Sequence, residues 1–194
     1  KKKFIFISVD MKNFAEIEKI YNKKIKQIGQ IFGLINNSAI AYDDMITNAN
    51  YKKLEDMFKV NIFSPIMLSK LVIRNMILNK NKGSIIHISS IAASTGFKGL
   101  SMYGSTKGAL ESFSIGLARE WGRMGIRSNC ISPGFIKTNM SKKLGNEHIK
   151  KIIKRASLKR LTTTSEVASV VSFLISDKSS SITGTVIRSD GGSL

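Results

Sequence analysis

Only one cysteine, Cys130, occurs in the 194 residues, so no disulfide can form within the chain. His87 and His148 are the only histidines, and neither their number nor their spacing suggests a metal site. Proline is equally scarce. Pro65 and Pro133 are the only two, so each marks a local backbone event and there is no Pro-rich linker. Acidic residues number 13 against 31 Lys and Arg, giving a formal charge of +18. Such a charge suits nucleic acid, an anionic membrane or an acidic protein. The lysines are spread along the whole chain among Ile and Asn, however, as a compositional bias would place them. No basic cluster with aromatic platforms is present, so nucleic-acid binding is not expected. The densest basic stretch, Lys142 to Arg160, is a candidate docking face for an acidic partner. No apolar run approaches the ~18 residues that cross a bilayer. Lys1-Lys2-Lys3 followed by Phe4 to Val9 is too short for a signal-peptide core. A soluble, cytoplasmic protein with no membrane partner is the expectation, and Cys130, in an apolar strand, reads as a buried structural thiol.

What is present alternates regularly. Lys2 to Val9 is an apolar, β-prone run closed by turn and cap residues at Asp10 to Asn13. Phe14, Ile17, Tyr21, Ile25 and Ile28 fall at helical spacing to about Gln30, and Gly33 to Asn37 reads as a short strand ending in two amides. Asn50 to Asn79 is helical, with Pro65 inside it to kink it and the polar Asn61 one turn earlier. Further strands are expected at Gly83 to Ser90, Arg127 to Ser132 and Thr185 to Ser189. Helices are expected at Leu100 to Met124, Ser165 to Ser176 and, in one or two pieces, across Lys142 to Lys159. Strand and helix alternate throughout one domain. This order predicts an α/β fold with a doubly wound, Rossmann-like parallel sheet.

The most telling stretch is Ser90 to Lys107. Tyr103 and Lys107 are four residues apart, so on a helix they share a face. A lysine-rich chain makes such pairs readily by accident, usually as a solvated helix face. Here an apolar strand, Ile85 to Ile88, runs into Ser89-Ser90, a Gly-containing loop follows, and an amphipathic helix then carries the pair. The ammonium is expected to favour the phenolate and bring Tyr103 nearer to acid/base work at neutral pH, with Ser90 hydrogen-bonding the reacting oxygen.

That strand, serine, spacing and Tyr-x-x-x-Lys resemble the short-chain dehydrogenase/reductase family. Asn36-Asn37-Ser38-Ala39 is similar to its Asn-Asn-Ala-Gly, Asn61 to its helix asparagine, and Pro133-Gly134-Phe135-Ile136-Lys137-Thr138 to its Pro-Gly-x-x-x-Thr. Ile182-Thr183-Gly184 and Asp190-Gly191-Gly192 match its C-terminal pattern, so the resemblance covers essentially the whole of residues 1–194. It implies an NAD(P)-dependent oxidoreductase that passes a hydride between a nicotinamide and a carbonyl or alcohol. Tyr103 is then the general acid, Ser90 orients the substrate oxygen, Lys107 holds the nicotinamide ribose, and Asn61 anchors a water that links Lys107 to solvent. On the cofactor side it implies Asp10 and Met11 at the adenine, Asn37, Ser38 and Ala39 beside its ribose, and Pro133, Gly134, Ile136 and Thr138 toward the carboxamide and phosphate.

Within the family, Leu117-Ala118-Arg119-Glu120 and Pro133 to Ile136 are most similar to reductases of 3-oxoacyl groups on acyl carrier protein. This implies NADP as cofactor, with NAD possible, an acidic carrier as partner and a homo-oligomer, dimer or tetramer. Two alternatives remain open: a sugar or small-alcohol dehydrogenase on the same scaffold, and an inactive remnant serving as an oligomer partner or binding module. Two departures from the family pattern bear on these. Ser38-Ala39 replaces Ala-Gly where backbone passes a ligand, which is expected to crowd the cofactor. The family's opening strand and Thr-Gly-x-x-x-Gly-x-Gly turn, whose amides receive the pyrophosphate, have no counterpart. The sequence is therefore expected to be an N-terminally incomplete fragment that starts near the family's third strand; as a complete chain it is expected to bind dinucleotide weakly or not at all.

Overall fold

A strand covered on both faces of its sheet is buried along its length, and two segments are, taking the polar Ser84, His87, Ser128, Asn129 and Ser132 inside with them. In the computed structural model, which describes residues 4–136 and 145–193, these are β2 (Gly83–Ile88) and β3 (Ile126–Pro133). Ile85, Ile86, Cys130 and Ile131 have no solvent exposure. The short strands β1 (Gly33–Asn36) and β4 (Val186–Ser189) flank them, and the four form one parallel sheet in the order β1-β2-β3-β4. Parallel neighbours need crossovers, and helices supply them on both faces. On one face α1 (Phe14–Ile20), α3 (Ser64–Leu78) and α5 (Ser101–Trp121) bury Ile17, Tyr21, Leu71, Val72, Met76 and Leu117 against Ile85 and Ile126. On the other, α7 (Thr164–Ile175) packs Val167 and Leu174 on Ile86 and Ile131. The doubly wound parallel architecture expected from the sequence is the one observed.

Three expectations are corrected. Residues 4–10 form no strand, and Phe4 and Phe6 are each 92% exposed. A β-prone run becomes a strand only by pairing, and among the described strands none pairs with it. The helix expected from Phe14 to Gln30 is α-helical only to Ile20. A wide π-helical turn, Tyr21–Ile25, follows, where the buried Tyr21 hydroxyl donates to Leu71 O at 2.9 Å, and then a short 3-10 turn ends at Gly29. Finally, the run Tyr51–Leu78 is long and apolar enough, by length and composition, to cross a bilayer, although no single apolar stretch suggested it. Its most apolar 18-residue window is 61% buried within the fold, as befits a core helix.

That run has three parts: α2 (Tyr51–Phe58), a π-helical turn over Lys59–Phe63, and α3, with Pro65 in its first turn. Proline has no N–H for the carbonyl four residues earlier, and the wide turn just before it accommodates the missing bond within one continuous helical run. The expected kink is thus resolved as a widened turn, and Asn61 lies at its centre, 1% exposed. In the basic stretch the described helix is α6 (Asn146–Arg155). The start of α7 is fixed by Thr163, whose side chain and Glu166 cap each other.

Candidate active site

The carboxyl ends of β2, β3 and β4 are stitched together by backbone bonds: Ile91 N donates to Pro133 O at 3.1 Å and Gly134 N to Ser189 O at 3.0 Å. Ser90 leaves β2 at this edge, and the four-residue helix α4 (Ala92–Thr95) follows, closed by Gly96 in the left-handed region (φ 64°). The chain then turns into α5. The two helices meet at Gly104, where a Cβ would lie 2.5 Å from Ala92 O. Only glycine permits that approach, and it brings Ser90 near enough to Tyr103 for its hydroxyl to act on the phenol's pKa, while Ser90 Oγ accepts from Ala92 N at 3.2 Å. Gly104→Val forces the two helices apart. Because a misplacement of about 1 Å can cost about a hundredfold in rate, kcat should fall by roughly that factor while circular dichroism shows a folded protein. An unchanged kcat would mean that this contact does not set the site.

Lys107 is 3% exposed, and its Nζ donates to Ile88 O at 2.8 Å and lies 5.6 Å from the Tyr103 ring centroid. Burial pulls its pKa down to about 8. The expectation that this ammonium favours the Tyr103 phenolate is corrected. Burial raises the phenol's pKa, the nearby Ser90 hydroxyl opposes the rise, and the Asp43 charge adds to it. The cation stands over the ring with one N–H turned to the Ile88 carbonyl, so desolvation of the phenolate prevails. Tyr103 is therefore held as the neutral phenol, the form that donates a proton.

Asn61 is tied more tightly than the sequence suggested. Its Oδ1 accepts from Ile40 N at 2.9 Å, while Nδ2 donates to Ile40 O at 2.9 Å and to Thr106 Oγ1 at 3.1 Å. Thr106 Oγ1 in turn donates to Tyr103 O at 2.7 Å. Both amide hydrogens are thus committed to clasping the residue-40 loop to α5. The Asn61 main-chain carbonyl is better suited to hold a water, because Pro65, four residues on, has no N–H to give it the usual helical bond.

The cofactor-side residues fall into two groups. Met11, Asn37 and Ser38 line one small cleft of about 30 Å³ with Asn36, Val60 and Pro65. The Met11 carbonyl accepts from the Ser64 hydroxyl, which anchors residues 10–13 to α3. Asp10 is exposed and caps its own turn through Lys12 N, and Ala39 is half-buried beside Ile40. Pro133 and Gly134 lie across the sheet edge, Gly134 so close to Asp190 that a Cβ would sit 2.7 Å from its Cα. Ile136 forms a parallel bridge with Thr162. Thr138 lies outside the described residues. The donors suit a nicotinamide ribose, since Lys107 presents a buried ammonium with hydrogens beyond the one given to Ile88, over the Tyr103 ring.

Several contributors were not singled out from the sequence. Thr106 bridges Asn61 and Tyr103, and its place one turn after Tyr103 was the available signal. Ser89 Oγ donates to Glu111 Oε1 at 2.6 Å, tying the end of β2 to α5, and Phe97 meets Phe135 edge-on at 5.5 Å across the loops that follow β2 and β3. Nothing in single-residue periodicity marks these pairs.

Comparison with known proteins agrees with this geometry. The family model described as "Enoyl-(Acyl carrier protein) reductase" matches residues 1–193. A 3-oxoacyl-[acyl-carrier-protein] reductase of Buchnera aphidicola subsp. Baizongia pistaciae is 38% identical over 188 residues, 97% of this chain and 76% of that protein. The Escherichia coli reductase of the same name is 34% identical over 178 residues, 92% of this chain and 72% of its own. Among solved structures, a putative betaketoacyl-ACP reductase superposes with a TM-score of 0.85 at 30% identity, covering 96% of this chain and 76% of that one. A gluconate 5-dehydrogenase from Burkholderia cenocepacia, in complex with NADP and tartrate, reaches 0.91 at 24% identity, covering 95% of this chain and 73% of that one, a likeness of fold. The chain belongs to the short-chain dehydrogenase/reductase family of NAD(P)-dependent oxidoreductases.

Proposed function

We propose that the protein reduces 3-oxoacyl thioesters, carried on acyl carrier protein, to the 3-hydroxyacyl form with NADPH. The observation that supports this reading is the Ser90 hydroxyl close enough to act on the Tyr103 phenol, with a buried Lys107 ammonium over the Tyr103 ring. A carbonyl that receives a hydride develops negative charge on oxygen, and two hydroxyl donors meeting at one point stabilise that charge where it forms. The bound nicotinamide supplies the hydride. Ser90 orients the substrate oxygen, Tyr103 gives it a proton, and Lys107 holds the ribose. A water on the Asn61 carbonyl restores the proton through Lys107. The family model's description names reduction of a carbon–carbon double bond, whereas a pair of hydroxyl donors is what a carbonyl oxygen needs, and relatives 34% and 38% identical carry the 3-oxoacyl name. Consumption of NADPH with acetoacetyl thioester but not with crotonyl thioester supports this reading, and the reverse preference overturns it.

The acidic carrier docks on α6. Lys150, Lys151, Lys154 and Arg155 are exposed there. Changing Lys150, Lys151 and Lys154 together to Glu is expected to raise KM for the carrier-linked substrate about tenfold, since each rim charge contributes up to about 1 kcal/mol, with KM for a small thioester unchanged. Equal KM values for both substrates before and after the change would place the docking face elsewhere. Self-association uses the outer face of α5, where Ser105, Ala109 and Ser112 are exposed and small enough for close helix packing beside the exposed, apolar Ile115.

A further inference from the structure

One buried polar side chain has no part in the proton path above. His87 lies on β2 with no solvent exposure, between the apolar Ile85 and the Ser89-Ser90 step. Its Nδ1 stands 3.1 Å from Nδ2 of Asn36, its register partner on β1. An amide nitrogen only donates, so Nδ1 accepts and the ring proton is on Nε2. Nε2 has no hydrogen-bond partner among the described residues. Phe113 of α5 meets the ring edge-on at 5.6 Å, and Asn36 Nδ2 also reaches Ser69 Oγ of α3 at 3.4 Å.

We propose that His87 is a positioning residue that cross-links the carboxyl ends of β1 and β2, holding the turn at Asn37–Ala39 in fixed relation to Ser89, Ser90 and the anchor of Lys107. Asn36 is the last residue of β1, after which the chain leaves the ladder with Asn37 and Ser38 exposed. His87 immediately precedes Ile88, whose carbonyl accepts from Lys107. The side-chain bond therefore joins the two strands where their backbone pairing stops. The consequence for cofactor binding rests on the reductase reading; the cross-link itself does not.

The link needs a neutral ring. The groups facing it are the Lys107 ammonium from α5, the buried Cys130 thiol opposite it on β3, Asn36 from β1 and Ser69 from α3. Glu111 lies one layer on, bonded by Ser89. Burial, and then the Lys107 charge, lower the pKa of His87 to about 4. Protonation would set one donor against another at Asn36 and place a second positive charge beside Lys107. The link is closed at neutral pH and opens as the pH falls toward about 4.

The test uses the whole chain with His87→Leu, which abolishes the link, and His87→Asn, which can restore a hydrogen bond to Asn36. Hydrogen exchange followed by mass spectrometry should quicken about tenfold at residues 36–40 and 88–91 in His87→Leu, the effect of one lost buried bond. Exchange in α7 should not change, and His87→Asn should return both segments toward the parent rates. Nitrogen NMR of the parent imidazole should show the Nε2–H tautomer at neutral pH. In turnover, His87→Leu should raise KM for the dinucleotide and lower kcat, and His87→Asn should recover both in part. Uniform or unchanged exchange, or a charged or Nδ1–H ring at neutral pH, overturns the proposal. The exchange and NMR readings need no turnover, so failure of the reductase reading would show separately, and the NMR reading stands even where a variant does not fold.

Discussion

Tyr103→Phe is expected to lower kcat about a thousandfold, the middle to upper range for loss of a positioned general acid, while the protein stays folded. Phenylalanine keeps the ring that lies beneath the Lys107 ammonium, and the Asn61–Thr106 bond to the backbone at residue 103 does not involve the hydroxyl. What is lost is the proton donor on which the Ser90 hydroxyl acts. The substrate should still bind, so the loss appears in kcat far more than in KM. Stopped-flow measurement of a single turnover separates the chemical step from product release. A loss confined to KM would mean that Tyr103 only binds.

Lys107→Met is expected to remove activity and stabilise the fold together. The depression of Lys107 from the ordinary 10.5 to about 8 corresponds to about 3 kcal/mol spent on burying the ammonium. Below pH 8 the folded and unfolded chains both carry the proton, so that cost is fully present at neutral pH. It fades as the pH rises from about 8 toward 10.5, because the folded chain has then already released its proton. Methionine fills a similar space without a charge. After loss of the bond to Ile88 O, a net gain of about 2 kcal/mol in urea unfolding at neutral pH is expected. The rate should fall at least about a hundredfold, the cost of removing one electrostatic contact at a reacting centre. In the parent enzyme, loss of the same charge should give a falling alkaline limb in kcat/KM near pH 8. A less stable variant, or a rate flat through pH 9, would contradict the assignment of a buried functional cation.

The gain and the loss share one cause, which also explains how far the sequence could be read. Periodicity located α5 and α7 because their apolar residues face one side of the sheet, short apolar runs located β2 and β3 between the layers, and the spacing brought Ser90, Tyr103 and Lys107 to one place through a strand, a loop and a helix. It did not reveal that burial raises the pKa of Tyr103. Spacing puts a lysine beside a tyrosine but does not say whether its ammonium meets the oxygen or the ring. The clasp of Asn61 on Ile40 joins residues 21 apart, and the His87–Asn36 link joins residues 51 apart. No local pattern encodes such pairs. Residues 4–10 misled for the opposite reason: their propensity is local, whereas a strand is made by its neighbour.

The central claim is that Ser90, Tyr103 and Lys107 reduce a thioester-linked ketone by hydride transfer. Mixing the protein with NADPH deuterated at both C4 positions and acetoacetyl thioester, then analysing the product by mass spectrometry, tests it most directly. The account predicts a 3-hydroxy product with deuterium on the hydroxyl carbon, formed by the parent enzyme and absent with Tyr103→Phe. An unlabelled product, or equal label incorporation by the Tyr103→Phe variant, would contradict it.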